Sequence, residues 1–181
     1  MASELGVQTI QHTNGTDALT IDSSGRVAID QIQIPSFMVE AAGTDQSYQA
    51  TASVVVEFPT VRLDTESAWD ATNHRYQPSI EGWYTFSGAV RCSFTSNPEY
   101  IAVQVVKNGA DYSTNIAYLA QYQMTGGQFT NGTYPVSGSM IYLNGSTDYV
   151  NLSFRAQYSC TLHQTASLRS WFCGQLVKAG S

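Results

Sequence analysis

Three histidines, three cysteines and fourteen carboxylates are the chain's stock of reactive side chains. A zinc hydrolase needs two histidines at helical spacing, as in His-Glu-x-x-His. His12, His74 and His163 stand far apart and outside any such pair. His74 falls in an expected turn, where a solvated histidine is the simplest reading. A serine hydrolase of the nucleophile-elbow kind needs Gly-x-Ser-x-Gly. The nearest string, Val136-Ser137-Gly138-Ser139, reads more simply as the start of a strand. No glycine-rich phosphate loop is present. Two carboxylates a few ångströms apart could hydrolyse a glycoside. Here Asp64 and Asp70 flank one loop while Asp111 and Asp148 lie elsewhere, and no linear pattern pairs them. Asp64, Glu66 and Asp70 gather the hard oxygens that calcium prefers, without EF-hand spacing. A solvated acidic loop is the expected reading, with calcium the weaker alternative. Cys92, Cys160 and Cys173 lack Cys-x-x-Cys spacing and are expected as buried free thiols in strands; a disulfide between two of them is unforced. The chain is therefore expected not to be an enzyme and to need no cofactor.

Chemistry of recognition is better represented. Eleven tyrosines and three tryptophans exceed what one core needs in so polar a chain. Each offers an apolar body with a polar tip, which suits sugar platforms and subunit interfaces alike. The stretch 126–135, Gly-Gly-Gln-Phe-Thr-Asn-Gly-Thr-Tyr-Pro, is the longest loop-like run. Rigid β scaffolds display function on loops. Phe129, Asn131 and Tyr134, together with Tyr112 and Tyr122, are the candidate receptor- or glycan-binding residues. The alternative for these tyrosines is the rim of a subunit contact.

The elements that must hold such a surface are short strands. Tyr84, Phe86, Val90, Cys92 and Phe94 share one parity, and Trp83, Thr85, Ser87, Ala89, Arg91 and Ser93 the other. Successive strand side chains point to opposite faces, so the first set should face a core. Further strands are expected at 37–42, 53–58, 61–63, 100–107, 114–124, 137–143, 148–155 and 168–177, with turns at Asn108-Gly109 and Asn144-Gly145. No window carries a capped helical period. Many short strands with regular turns argue an all-β sandwich. Residues 1–36 stand apart from the head at 37–181. Leu19 and Ile21 alternate with Thr20, and Val27 and Ile29 with Ala28, around Ser23-Ser24-Gly25. That is a small hairpin, marginal alone in water and expected to pack on copies of itself.

Bulk properties narrow the classes. Only 12% of residues are charged, against roughly 25% in ordinary domains, so Ser, Thr, Asn, Gln and Tyr must cover the surface. The net charge is −6 and no Lys/Arg cluster occurs, so the electrostatic footprint of nucleic-acid binding is missing. The longest apolar runs are too short to span a bilayer as a helix, and no charged-then-apolar leader pattern opens the sequence.

Several strings carry a resemblance in their order. They are Val54-Val55-Val56-Glu57-Phe58, Val61-Arg62-Leu63-Asp64, Trp69-Asp70, Tyr76, Pro78, Gly82-Trp83-Tyr84-Thr85-Phe86, Val105-Val106-Lys107-Asn108-Gly109, Ile141-Tyr142-Leu143-Asn144-Gly145-Ser146 and Trp171-Phe172-Cys173-Gly174-Gln175-Leu176. Together they resemble the globular heads of the complement C1q and tumour necrosis factor superfamily, over roughly residues 37–178. The sequence departs from that pattern at His74, where a turn Gly is usual, and at Asn144-Gly145-Ser146-Thr147-Asp148, where Gly-Asp is usual. The string Ala-Leu-Thr-Ile-Asp-Ser-Ser-Gly-Arg-Val at 18–27 is similar to segments of bacteriophage fibre and tail proteins. These resemblances imply a TNF-like jelly roll in a homotrimer, with Leu19, Ile21, Val27 and Ile29 forming the attachment and trimerisation arm. They also imply a non-enzymatic virion protein on the particle surface. As a tail-fibre or spike head it would bind a host-surface glycan or protein. As a capsid decoration protein it would grip other virion proteins through the arm. A secreted cytokine-like ligand is the remaining alternative.

Overall fold

The computed structural model describes residues 9–11, 13, 15, 17–21, 23–25, 27–28, 34–109, 121–123, 131–164 and 169–180. The chain divides into two units, Met1–Ile34 and Pro35–Ser181. In the first, β1 (Thr9–Gln11), β2 (Asp17–Ile21) and β3 (Val27–Ala28) form an antiparallel sheet in that order. Ile21 pairs with Val27 around the turn at 23–25, and Leu19 pairs with Ile10. The expected hairpin thus gains a third strand, β1, whose pattern is too short to stand out in the sequence. Ile29 lies outside the described residues.

The second unit contains β4 (Ser36–Glu40), β5 (Gln46–Tyr48), β6 (Val54–Val55), β7 (Thr60–Asp64), β8 (Trp69–Asp70), β9 (Arg75–Tyr76), β10 (Glu81–Phe94), β11 (Tyr100–Lys107), β12 (Gln121–Gln123), β13 (Asn131–Asn144), β14 (Val150–Ala156), β15 (Cys160–Leu162) and β16 (Trp171–Ala179). Among the described residues every regular element is a strand. One seven-stranded sheet runs β5-β15-β10-β16-β4-β7, with β13 pairing the other edge of β10. A six-stranded sheet runs β12-β11-β14-β9-β8, with β6 also on β14.

β10 organises the sandwich because it is long and its alternation is clean. Tyr84, Phe86, Val90, Cys92 and Phe94 are all buried, as their parity requires, and Trp83 on the opposite face is exposed. Ala89 departs from its parity set and is buried. The two sheets meet through aromatic rings. Phe37 of β4 stacks on Tyr76 of β9 at 4.2 Å and on Trp69 of β8 at 5.5 Å, and meets Phe172 of β16 edge-on at 5.0 Å. Tyr48 adds a polar tie. Its buried hydroxyl accepts the Ala156 N–H at 2.7 Å and lies 2.8 Å from the Ala52 and Ala156 carbonyl oxygens. Such a buried hydroxyl is tolerated because its hydrogen bonds are made.

Turn chemistry accounts for His74 and for the segment Asn144-Gly145-Ser146-Thr147-Asp148. His74 adopts φ 51°, the left-handed region that ordinarily favours Gly. Its ring is half-buried, and its Nδ1 accepts the Phe58 N–H at 3.2 Å. It is therefore a bonded turn residue, not the solvated one expected. In the second turn the Asn144 Oδ1 accepts N–H bonds from Ser146, Thr147 and Asp148, and Gly145 takes φ 66°. Asn108 and Gly109 both have positive φ, at 57° and 63°, as a tight turn on these residues requires.

The cysteines are free thiols. Cys92 is buried and hydrogen-bonds with Cys160; that bond and its burial push the Cys92 thiol well above its ordinary range. Cys160 and Cys173 are half-buried, not fully enclosed as expected.

Candidate binding surface

The sequence-derived aromatic loop is only partly a loop. Phe129 and Tyr112 lie outside the described residues. Tyr122 sits in β12, paired with Ile101 of β11. Asn131 opens β13 opposite Ser93 and is exposed. Tyr134 corrects the expectation directly. It pairs with Val90 on the core side of β10 and is only 4% exposed. Burial pushes its phenol up to about 12. Gly132 makes room for the ring, since a Cβ there would lie 2.6 Å from the Tyr134 hydroxyl. Residues 131–135 are thus the opening of a long strand and not a display loop.

Asp64 and Asp70 serve the turns around them, whereas the buried Glu66 Oε2 meets no hydrogen-bond partner among the described residues. Asp64 accepts the Ala68 and Trp69 N–H groups at 3.0 and 2.8 Å. Asp70 accepts from the Asn73 side chain and from the Thr72 and Asn73 N–H groups, which hold its carboxyl below the usual range, and it pairs with Arg75 at 3.3 Å. No group of three or more metal-binding side chains occurs among the described residues. Asp148 is a similar anchor. Burial alone would raise its carboxyl, but bonds from Asn108, Lys107 and the Asn144 N–H outweigh that and lower it.

One constellation was invisible in the linear sequence. The His163 ring lies between Ser93 Oγ, 2.9 Å from Nε2, and Asp45 Oδ2, 3.1 Å from Nδ1. The order of groups is that of a nucleophile, a base and an orienting acid. Its setting is not. Ser93 sits inside β10, paired with Asn131 on one side and Thr161 on the other, so its backbone is committed to two ladders. A nucleophile elbow instead projects its serine from a sharp turn beside free N–H donors. The three side chains fasten the segment before β5 to β15 and β10, helped by the Gln164 N–H on Asp45 at 2.7 Å.

What the structure leaves open to a partner is the outer face of the seven-stranded sheet. At one end, Trp83 and Tyr142 form a cross-strand edge-on pair at 5.8 Å. Met140 follows along β13, with Val177 on β16 and Ile80 just before β10, all exposed. Trp83 is 44% and Met140 54% exposed. Contiguous apolar groups of this kind mark interaction sites. Across the same face, Met38, Glu40, Arg62, Arg169 and Trp171 line a hollow of about 380 Å³. Glu40 accepts from Arg62 at 2.9 Å and from Arg169 at 3.4 Å, and the Arg62 bond chiefly lowers its carboxyl. None of these residues stands out as a site in the linear sequence.

No family model and no curated protein matches the chain. Solved structures do. The globular domain of zebrafish complement 1qA protein superimposes with a TM-score of 0.53 at 13% identity, covering 82% of this chain and 100% of that one. Murine APRIL gives a TM-score of 0.56 at 10% identity, covering 80% and 100%. At these identities the likeness is one of fold. The architecture is a C1q/TNF-like jelly roll, as the order of sequence motifs implies.

Proposed function

We propose that the chain is a trimeric, non-enzymatic head on a bacteriophage particle, which binds a host-surface glycan. In this reading residues 1–36 attach it to other virion proteins, and the jelly roll projects. The observation that carries the proposal is the exposed apolar end of the seven-stranded sheet, around Trp83, Met140 and Tyr142. A stable soluble head buries such a patch, and most homo-oligomers do so about a closed symmetry axis. A threefold places three binding faces on one body, and multivalency then raises weak single-site affinity without new contacts. The phage assignment draws on the resemblance of 18–27 to fibre and tail segments, and the low charge suits a β protein on a particle surface.

Competition tests this reading. Purified full chain, added to host cells before phage, should reduce adsorption in proportion to its concentration. Unchanged adsorption in the presence of saturating, folded protein would overturn the receptor-binding role and leave capsid decoration as the function.

A further inference from the structure

We propose that the hollow formed by Glu40, Arg62, Arg169, Trp171 and Met38 binds a sugar ring bearing a carboxylate. The inference rests on the glycan-binding reading above and supplies its ligand class and site. The strand order brings the residues together. Glu40 of β4 pairs directly with Trp171 of β16, and β7 beside β4 contributes Arg62. Arg169 lies just before β16. The volume, about 380 Å³, falls in the range of small-ligand sites and suits a single pyranose.

Charge sets the ligand class. Two guanidinium groups meet one carboxylate, so the site carries one net positive charge on a chain whose net charge is −6. All their bonds to Glu40 end on one oxygen, Oε2, reached by two nitrogens of Arg62 and one of Arg169. Each guanidinium has five N–H donors in a fixed fork. The remaining donors belong to side chains left 51% and 40% exposed. An incoming carboxylate can take two of them in parallel, the geometry that guanidinium recognises best. Glu40 remains ionised and holds both arginines over the hollow, which lowers the entropy lost when a ligand binds. The Trp171 indole, with Met38 beside it, offers an apolar wall for the C–H face of the ring. A neutral sugar would gain only the wall, and a cation would be repelled. A second copy of the chain is the less favoured occupant. The apolar patch assigned to assembly lies around Trp83, Met140 and Tyr142, beside the C-terminal end of β16, whereas this site lies on β4, β7 and the N-terminal end of β16.

The test is a ligand titration of the full chain followed by NMR or calorimetry. The probes are methyl glucuronoside and the methyl glycoside of N-acetylneuraminic acid, with methyl glucoside as the neutral control and sodium acetate as the bare carboxylate. At least one acidic sugar should bind with Kd on the order of 1 mM, and the neutral sugar and acetate about tenfold more weakly. Affinity should fall as salt is raised. Arg62→Lys with Arg169→Lys keeps the charge but loses the fork, and should weaken binding about tenfold at unchanged melting temperature. Trp171→Ala should also weaken whichever acidic probe binds the parent chain. Equal affinity for neutral and acidic sugars, no saturable binding of either acidic probe, or full affinity in the double Lys variant would each overturn the proposal. So would loss of assembly in Arg62→Glu, since the hollow would then be a subunit contact. If the chain competes for adsorption while neither acidic sugar binds, this site fails and the head reading stands. If an acidic sugar binds here while the chain does not compete, the site stands and the host-receptor role fails.

Discussion

Phe86→Ala will destabilise the jelly roll by about 3–5 kcal/mol. Phe86 is fully buried on the central strand, and its ring packs against Tyr84, Phe172 and Phe37 with centroids 6.0–6.3 Å apart. Truncation would remove the ring's transfer free energy and leave a cavity between sheets that Phe37 and Tyr76 already hold at fixed separation. Rigid β ladders on both sides of Phe86, to Ser139 and to Gly174, limit collapse into that space. Urea denaturation of the variant beside the parent chain measures the loss. A change below about 1 kcal/mol would place Phe86 outside the core and contradict the face assignment of β10.

The second large effect is the reverse experiment, overfilling the same layer. Gly174 of β16 lies in one row with Phe86 on β10 and Phe37 on β4. A Cβ at Gly174 would press into the Phe86 ring and come within 2.9 Å of the Phe37 ring. The missing side chain is what lets the two phenylalanines fill the row. Gly174→Val should therefore cost about 1–3 kcal/mol through forced off-rotamer rings, despite the higher strand propensity of Val. A thermal melt unchanged by the substitution would show that the rings can move aside. Because the two sites share partners, a Phe86→Leu, Gly174→Ala double variant should lose less than the sum of its single losses.

The strand that organises the fold was legible because its alternation holds from Glu81 to Phe94 at every position but Ala89. The strand beside it was not. In β13, Tyr134 and Val136 point inward, and so do Ile141 and Leu143, although the two pairs have opposite parity. The cause is Gly138, at φ 80°, which bulges where the register shifts between Phe86–Ser139 and Ser87–Ser137. One extra residue reverses every later side chain. Pro135 adds to the disguise. It is tolerated because, among the described residues, β13 pairs only with β10 and so lies at a sheet edge. A sequence window of Gly, Thr, Asn and Pro thus read as a loop, and Tyr134 was assigned to a surface that the register denies it.

Short strands were hidden for a different reason. β8 and β9 are two residues each, too brief for any period to register. The hollow on the outer sheet could not be read from the sequence at all. Glu40, Arg62, Arg169 and Trp171 come from three separated stretches, and only the pairing of β4 with β7 and β16 brings them together. On that face Trp171 stands beside Arg62 and Arg169, an aromatic next to polar donors on a sheet surface and not in a loop.

Burial of the apolar end of the sheet and the multivalent use of a weak site both depend on assembly. Light scattering on the eluting full chain at micromolar concentration measures it most directly. A mass about three times 19.7 kDa is expected, with a shift toward the single-chain mass when Trp83 is replaced by Glu. A monodisperse parent chain at 19.7 kDa would contradict it.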